Sequence, residues 1–178
     1  MVLIAYLLQD LPIFNLFFLS FCLSSCSSDT KDAEEDNTSE NQEIQEIQQT
    51  TDGVASVTEV SVTGGEDLYA FNVTISSPDL GCQQYVDWWE VIDLDGNLLY
   101  RRIFTHSHVD EQPFTRLGDP FNISANEEVY VRAHMNTTSY GTNVFKGSVA
   151  DGFTSSFLAS DFALNLEEAE PLPGNCSF

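Results

Sequence analysis

The chain has 178 residues, of which 28 are Asp or Glu and only 6 are Lys or Arg, so its formal net charge is -22. This charge excludes nucleic acid as the natural partner, because phosphate binding needs a basic surface. Aromatic residues make up 12% of the chain, which excludes a wholly disordered protein, since disordered chains lack apolar surface to bury.

An apolar stretch over residues 1–25 opens the chain. Its longest run is too short for a membrane-spanning helix of roughly 20 apolar residues, and it is typical of a secretory signal peptide. The run ends in Leu23-Ser24-Ser25-Cys26, which resembles the lipobox of bacterial lipoproteins. The resemblance implies cleavage before Cys26 and acylation of this residue with palmitate-type chains, which would anchor the protein in the lipid bilayer. The alternative is an ordinary cleaved signal in which Cys26 has no special role.

Residues 26–53 are predicted to form a disordered acidic tether. Nine acidic residues are accompanied by a single base, Lys31, and Ile44 and Ile47 are the only large aliphatic residues, so no core can form there. Acidic residues soon after an acylated cysteine resemble the surface-export tethers of Bacteroidetes-type lipoproteins, and Ser27 resembles the enterobacterial signal for the outer membrane. Both resemblances imply an outer-membrane protein of the cell envelope, on the periplasmic face or at the cell surface.

Residues 54–178 are predicted to fold as one all-β domain. Their apolar residues alternate with period two, and Gly, Asp, Asn and Pro separate the short runs. Six or seven antiparallel strands in this length indicate an immunoglobulin-like antiparallel β-sandwich, with an up-and-down barrel as the alternative. The predicted strands are 55–63, 67–76, 84–93, 97–106, 128–135, 143–149 and 153–158.

A β-hairpin is predicted around Asp95-Gly96, a pair that favours a two-residue type I′ turn. With this turn Leu94 lies opposite Asn97, and the residue numbers of every other facing pair also add up to 191. The register predicts a cross-strand ion pair between Glu90 and Arg101 and a stack of Arg102 on Trp89. It also predicts Trp88 opposite Ile103, Val91 opposite Tyr100, Ile92 opposite Leu99 and Tyr85 opposite His106.

Cys82 and Cys176 are the two cysteines that remain after processing, apart from Cys26. An exported protein enters an oxidising compartment, so the two are predicted to form a disulfide. The alternative is a pair of buried free thiols.

Several unusual segments resemble a family of uncharacterised exported bacterial β-sandwich proteins. The resemblance covers most of 81–176 and implies an architecture but no chemistry. The segments that carry it are 81–91, 95–102, 106–116, 131–135 and 171–176.

A His-based metal site is one prediction for the region 101–134, which holds every His and four of the five bases of the domain. His106, His108 and His134, with Glu111 or Asp110 as a fourth ligand, are the ligand types that zinc and copper prefer. Along 128–135, strand alternation predicts Arg132 and His134 on a polar face. The opposite face, predicted to point into the core, carries Val129, Val131, Ala133 and Met135.

A cationic pocket for a carboxylate or a sugar acid is the second prediction for this region. Arg102, Arg132 and the His residues would bind the anion, and the walls would be Trp89, Tyr100 and Tyr130. The third possibility is that these bases and imidazoles only satisfy carboxylates and carbonyls of the domain itself. No GxSxG or HExxH motif is present, so the sequence favours a binding or structural module over an enzyme, with its ligand or envelope partner unidentified.

Overall fold

The computed structural model describes residues 53–177. The predicted signal peptide, Cys26 and the acidic tether up to residue 52 lie outside the described residues. The helices of residues 53–177 are two short 3-10 helices, Val109–Glu111 and Leu164–Glu168, and neither could span a bilayer. The described chain forms ten strands: β1 Ser56–Gly65, β2 Leu68–Ser76, β3 Val86–Asp93, β4 Leu98–Ile103, β5 Phe114–Leu117, β6 Phe121–Asn122, β7 Val129–Met135, β8 Ser139–Tyr140, β9 Asn143–Ser148 and β10 Gly152–Phe157.

Two antiparallel sheets pack face to face. The smaller sheet has the order β1-β2-β5 with β6 beside β2, and the larger has the order β10-β9-β7-β3-β4 with β8 beside β7. The order β1-β2-β5 against β9-β7-β3-β4 is that of an immunoglobulin-type sandwich, to which β10 adds one edge strand. The predicted β-sandwich is therefore confirmed.

The main core lies between the two sheets and is apolar throughout. β7 contributes Val129, Val131, Ala133 and Met135, each at most 2% exposed, so their predicted direction is confirmed. From β3, Trp89 and Val91 are fully buried in the same core, against Phe71, Val73 and Ile75 of β2. This alternation places the intervening residues of β3 and β7 on the opposite, outer face of the larger sheet.

The predicted hairpin has the expected register over most of its length but a different turn. Glu90 lies opposite Arg101, yet a bulge after Val91 brings Ile92 opposite Leu98 instead of Leu99. The cause is Asp93, whose carboxylate accepts hydrogen bonds from the backbone N–H groups of Asp95 and Asn97. These bonds stabilise a longer turn than the predicted two-residue one.

Three short strands were not predicted, because two to four residues are too few to show an alternation. They are β5, β6 and β8. The predicted extension of β4 to residue 106 is wrong, since the strand ends at Ile103. The predicted pairing of Tyr85 with His106 is therefore wrong as well.

The last described residues, 158–177, form what we call the C-terminal segment, which covers the outer face of the larger sheet. Leu158 and Leu166 of this segment join Ile92 and Val144 in a second, smaller apolar cluster. The Cys82–Cys176 disulfide is present, with its Cα atoms 5.6 Å apart. The segment is therefore held by apolar contact with the sheet and by a covalent bond to the loop that precedes β3.

Candidate functional site

A buried triad of charges occupies the outer face of the larger sheet beneath the C-terminal segment. Glu90 lies on β3, between Arg101 on β4 and Arg132 on β7, because strand pairing sets both arginines directly opposite it. Nη2 of Arg101 is 2.6 Å from Glu90 Oε2, and Nη2 of Arg132 is 2.7 Å from Oε1, with all three side chains at most 1% exposed. The predicted Glu90–Arg101 ion pair is thus confirmed, and Arg132 extends it.

The remaining guanidinium N–H groups of the triad bind the backbone of the C-terminal segment. Arg101 donates to the carbonyl oxygens of Leu166 and Ala169, both at 2.7 Å, and to that of Pro171 at 3.0 Å. Arg132 donates to the carbonyl of Phe162 at 2.6 Å. Because one carboxylate cannot satisfy ten N–H donors, these carbonyls supply the other acceptors that two buried guanidinium groups need. The triad thereby fixes the path of the segment.

Aromatic rings cover the two guanidinium groups of the triad. Arg101 lies over Trp88 at 4.4 Å from the ring centre, and Arg132 lies over Tyr140 at 3.4 Å. The predicted stack of Arg102 on Trp89 is not the one observed. The preceding residue of each strand forms the stack instead, Arg101 on Trp88, on the outer face of the sheet. Burial, together with the charge of Glu90, raises the pKa of the Tyr140 phenol. Tyr140 therefore acts as a neutral aromatic wall.

His134 links the larger sheet to the C-terminal segment. Its Nδ1 lies 2.6 Å from a carboxylate oxygen of Asp87, and its Nε2 lies 3.0 Å from one of Glu167. The ring stacks on Trp88 with centres 3.7 Å apart, and Ser139 donates to the same oxygen of Glu167. Burial raises the pKa of Asp87, and the hydrogen bond with His134 partly offsets this effect.

The predicted polar face of β7 therefore exists, but it is not open to solvent. Arg132 is 1% exposed and His134 is 7% exposed, because the C-terminal segment lies over them. Strand alternation correctly places the two side chains on one face, but it carries no information about what covers that face.

His108 occupies a different environment, at the edge of the main core. Its ring lies parallel to that of Phe114 at 3.9 Å, with the edge of Phe104 at 5.1 Å and His106 at 4.6 Å. Only 2% of His108 is exposed, and neither ring nitrogen has a hydrogen-bond partner among residues 53–177. Burial is the main cause that lowers its pKa to about 4, and the nearby charges of Arg116 and His106 lower it further.

The geometry does not support the four-ligand metal site predicted from His106, His108, His134 and Glu111. Among residues 53–177, no group of three His, Cys, Asp or Glu side chains could hold a metal ion. The nitrogens of His134 are bound to carboxylates of β3 and the C-terminal segment, and Glu111 forms an ion pair with Arg116. Because β4 ends at Ile103, His106 and His108 do not continue a strand face toward His134. Only these last two imidazoles are brought together.

The predicted anion pocket is also not formed, because its two arginines lie on opposite faces of the larger sheet. Arg102 is opposite Trp89, whereas Arg132 is opposite Glu90, the next residue of β3. Trp89 is fully buried in the main core and offers no wall to a ligand. Tyr130 faces Phe162 of the C-terminal segment, with ring centres 6.1 Å apart. Arg101, and not Arg102, lies on the same face of the sheet as Arg132. Strand alternation along β4 would have indicated this.

His108 predicts an acid-sensitive domain. Its folded-state pKa of about 4 lies below the ordinary value of about 6.5. Between these two pH values, His108 therefore binds a proton in the unfolded chain but not in the folded chain. This contribution to stability is complete above pH 6.5 and is lost as the pH falls toward 4, by about 2–3 kcal/mol. Urea unfolding at a series of pH values will measure this loss. His108→Phe should remove this part of the pH dependence, and an unchanged profile in that variant would contradict the assignment.

Comparison with known proteins gives one informative similarity. No family model matches the chain, and no solved structure matches it. A protein of Halomicrobium mukohataei described as "Putative lipoprotein" is 34% identical over 101 residues, which is 56% of this chain and 50% of that protein. The chain thus spans about half the length of the curated relative it matches.

Proposed function

We propose that this chain is a lipid-anchored protein of the cell envelope whose β-sandwich is a binding or structural module. The anchor would be Cys26, the last residue of the lipobox-like Leu23-Ser24-Ser25-Cys26. The similarity to a protein described as a lipoprotein supports this proposal. Two or more acyl chains on one cysteine give stable attachment to a bilayer, whereas a single chain gives only marginal binding.

The observation that carries the proposal is the disulfide-closed domain that follows the anchor. Cys82 and Cys176 are bonded, and such bonds form and persist in compartments outside the cytoplasm. The first strand begins at Ser56, which is 30 residues after Cys26. The acidic composition of this intervening stretch favours a spacer between bilayer and domain. Ser27, directly after the anchor, favours the outer membrane.

The polar residues of the larger sheet favour a structural or binding role for the domain. Arg101, Arg132 and His134 bind groups of the same chain, so their donors serve to hold the C-terminal segment. Two of the five basic residues of 54–178, Arg101 and Arg132, are therefore buried in ion pairs and do not contribute to the surface charge. The accessible surface is therefore left strongly acidic, which favours a cationic partner over an anionic one.

Replacing Cys26 with Ala in the full-length chain is expected to release the protein from the membrane fraction and to abolish labelling with radioactive palmitate, because the acylated thiol is lost. Cys22→Ala is the matched control, since it removes a cysteine four residues upstream, within the predicted signal peptide. The control should stay membrane-bound and labelled. A Cys26→Ala protein that still partitions with membranes and carries label would overturn the proposal. Protease treatment of intact cells will separate the cell surface from the periplasmic face.

A further inference from the structure

The imidazole of His108 is a buried polar group without a hydrogen-bond partner in the described part of the chain. Both of its ring nitrogens are inaccessible and unpaired. A buried polar group left unpaired costs about 1–3 kcal/mol, and such groups in folded proteins call for an explanation such as a bound water or ion. The feature is therefore a candidate ligand position.

The described residues around His108 do not supply a hydrogen-bond partner for its ring. Phe104 and Phe114 pack against the ring and carry no polar atom. The nearby carboxylate of Asp79 is occupied, since it accepts from the backbone N–H of His108 and from three other donors. These donors are Ser77 Oγ, Val86 N and Ser107 Oγ.

One further imidazole lies next to this ring and is accessible to solvent. The ring centres of His106 and His108 are 4.6 Å apart. Of the three rings that contact His108 within the described chain, only that of His106 belongs to an exposed residue. Access from solvent to the ring of His108 is therefore expected on the side of His106.

We propose that His106 and His108 form a two-imidazole site for a divalent transition metal. Neutral imidazole is a preferred ligand of copper, nickel and zinc, and the Irving–Williams order makes Cu²⁺ the tightest of these. Water would complete the coordination shell, as in metal sites that keep open positions. The site does not include His134 or Glu111, and it does not depend on the membrane anchor.

Arg116 places a positive charge beside Phe114, next to the proposed site. Its guanidinium lies 5.4 Å from the centre of the Phe114 ring and forms an ion pair with Glu111. A positive charge at this position opposes the binding of a cation. Arg116→Gln would remove that charge and release the Glu111 carboxylate, so this variant is expected to bind the metal more tightly than the unaltered protein.

Copper titration of the full-length chain carrying Cys22→Ser and Cys26→Ser tests the proposal, because this background has no free thiol. One Cu²⁺ per chain is expected, with electron paramagnetic resonance showing coupling to two imidazole nitrogens. His106→Ala and His108→Phe should each weaken binding by about tenfold or more. His134→Gln is the matched control and should leave the affinity unchanged.

Folding of the variants is checked by thermal unfolding without metal. Phe at position 108 suits its aromatic neighbours, and position 106 is exposed, so both variants should remain folded. Absence of copper binding by the parent chain, undiminished binding by His106→Ala and His108→Phe, or loss of binding in His134→Gln would each overturn the proposal.

Discussion

Replacing Glu90 with Ala is expected to lower the free energy of unfolding by about 3–5 kcal/mol. The carboxylate is fully buried and is the shared partner of Arg101 and Arg132. Its removal leaves two buried guanidinium groups without a counter-charge, and this loss costs more than the original pairing contributes. Urea unfolding followed by tryptophan fluorescence will measure the change.

Glu128→Ala is the matched control for this prediction. Glu128 lies 3.5 Å from Lys146, and both side chains are at least one-third exposed. An exposed ion pair of this kind contributes at most about 1 kcal/mol, so the control should change stability little. Equal effects of the two substitutions would contradict the structural role assigned to the triad.

The same substitution should also loosen the C-terminal segment. The arginines that bind the carbonyls of Phe162, Leu166 and Ala169 are held in place by Glu90. Amide hydrogens of this segment, such as those of Leu166 and Ala169 that donate within it, should therefore exchange faster in Glu90→Ala. Exchange that accelerates only in the smaller sheet would show that the triad does not hold the segment.

Reduction of the Cys82–Cys176 bond is expected to destabilise the domain by about 4–5 kcal/mol without unfolding it. The two cysteines are 94 residues apart, and closing a loop of this size restricts the unfolded chain strongly in the chain-entropy description. The domain should stay folded because the core between the sheets and the buried triad are independent of the bond.

Thermal unfolding with and without reducing agent will measure this effect. Cys82→Ala/Cys176→Ala should match the reduced protein and show no further response to the reducing agent. Mass spectrometry of the unreduced chain should show a mass lower by two hydrogen atoms. Free thiols at both positions, or a reduced protein as stable as the oxidised one, would contradict the prediction.

Local patterns in the sequence were enough to predict the fold class and part of the pairing. The period-two alternation of residues 54–178 indicated a two-sheet sandwich, and it correctly predicted that Val129 and Val131 point into the core. Asp95-Gly96 predicted the register that brings Glu90 opposite Arg101. These features depend on neighbours along one strand or across one hairpin. The exact turn was not predicted, because the hydrogen bonds accepted by the Asp93 carboxylate stabilise a turn longer than two residues.

The metal and anion sites could not be judged from the same patterns. Strand alternation places Arg132 and His134 on one face, but only the tertiary structure shows that this face is covered. The covering residues, 158–177, lack a strand period, and the arginines bind their backbone carbonyls, which every residue carries. The sequence alone thus determined which side chains share a face. The tertiary structure decided which faces meet and which polar groups are satisfied, because these depend on contacts between residues far apart in the chain.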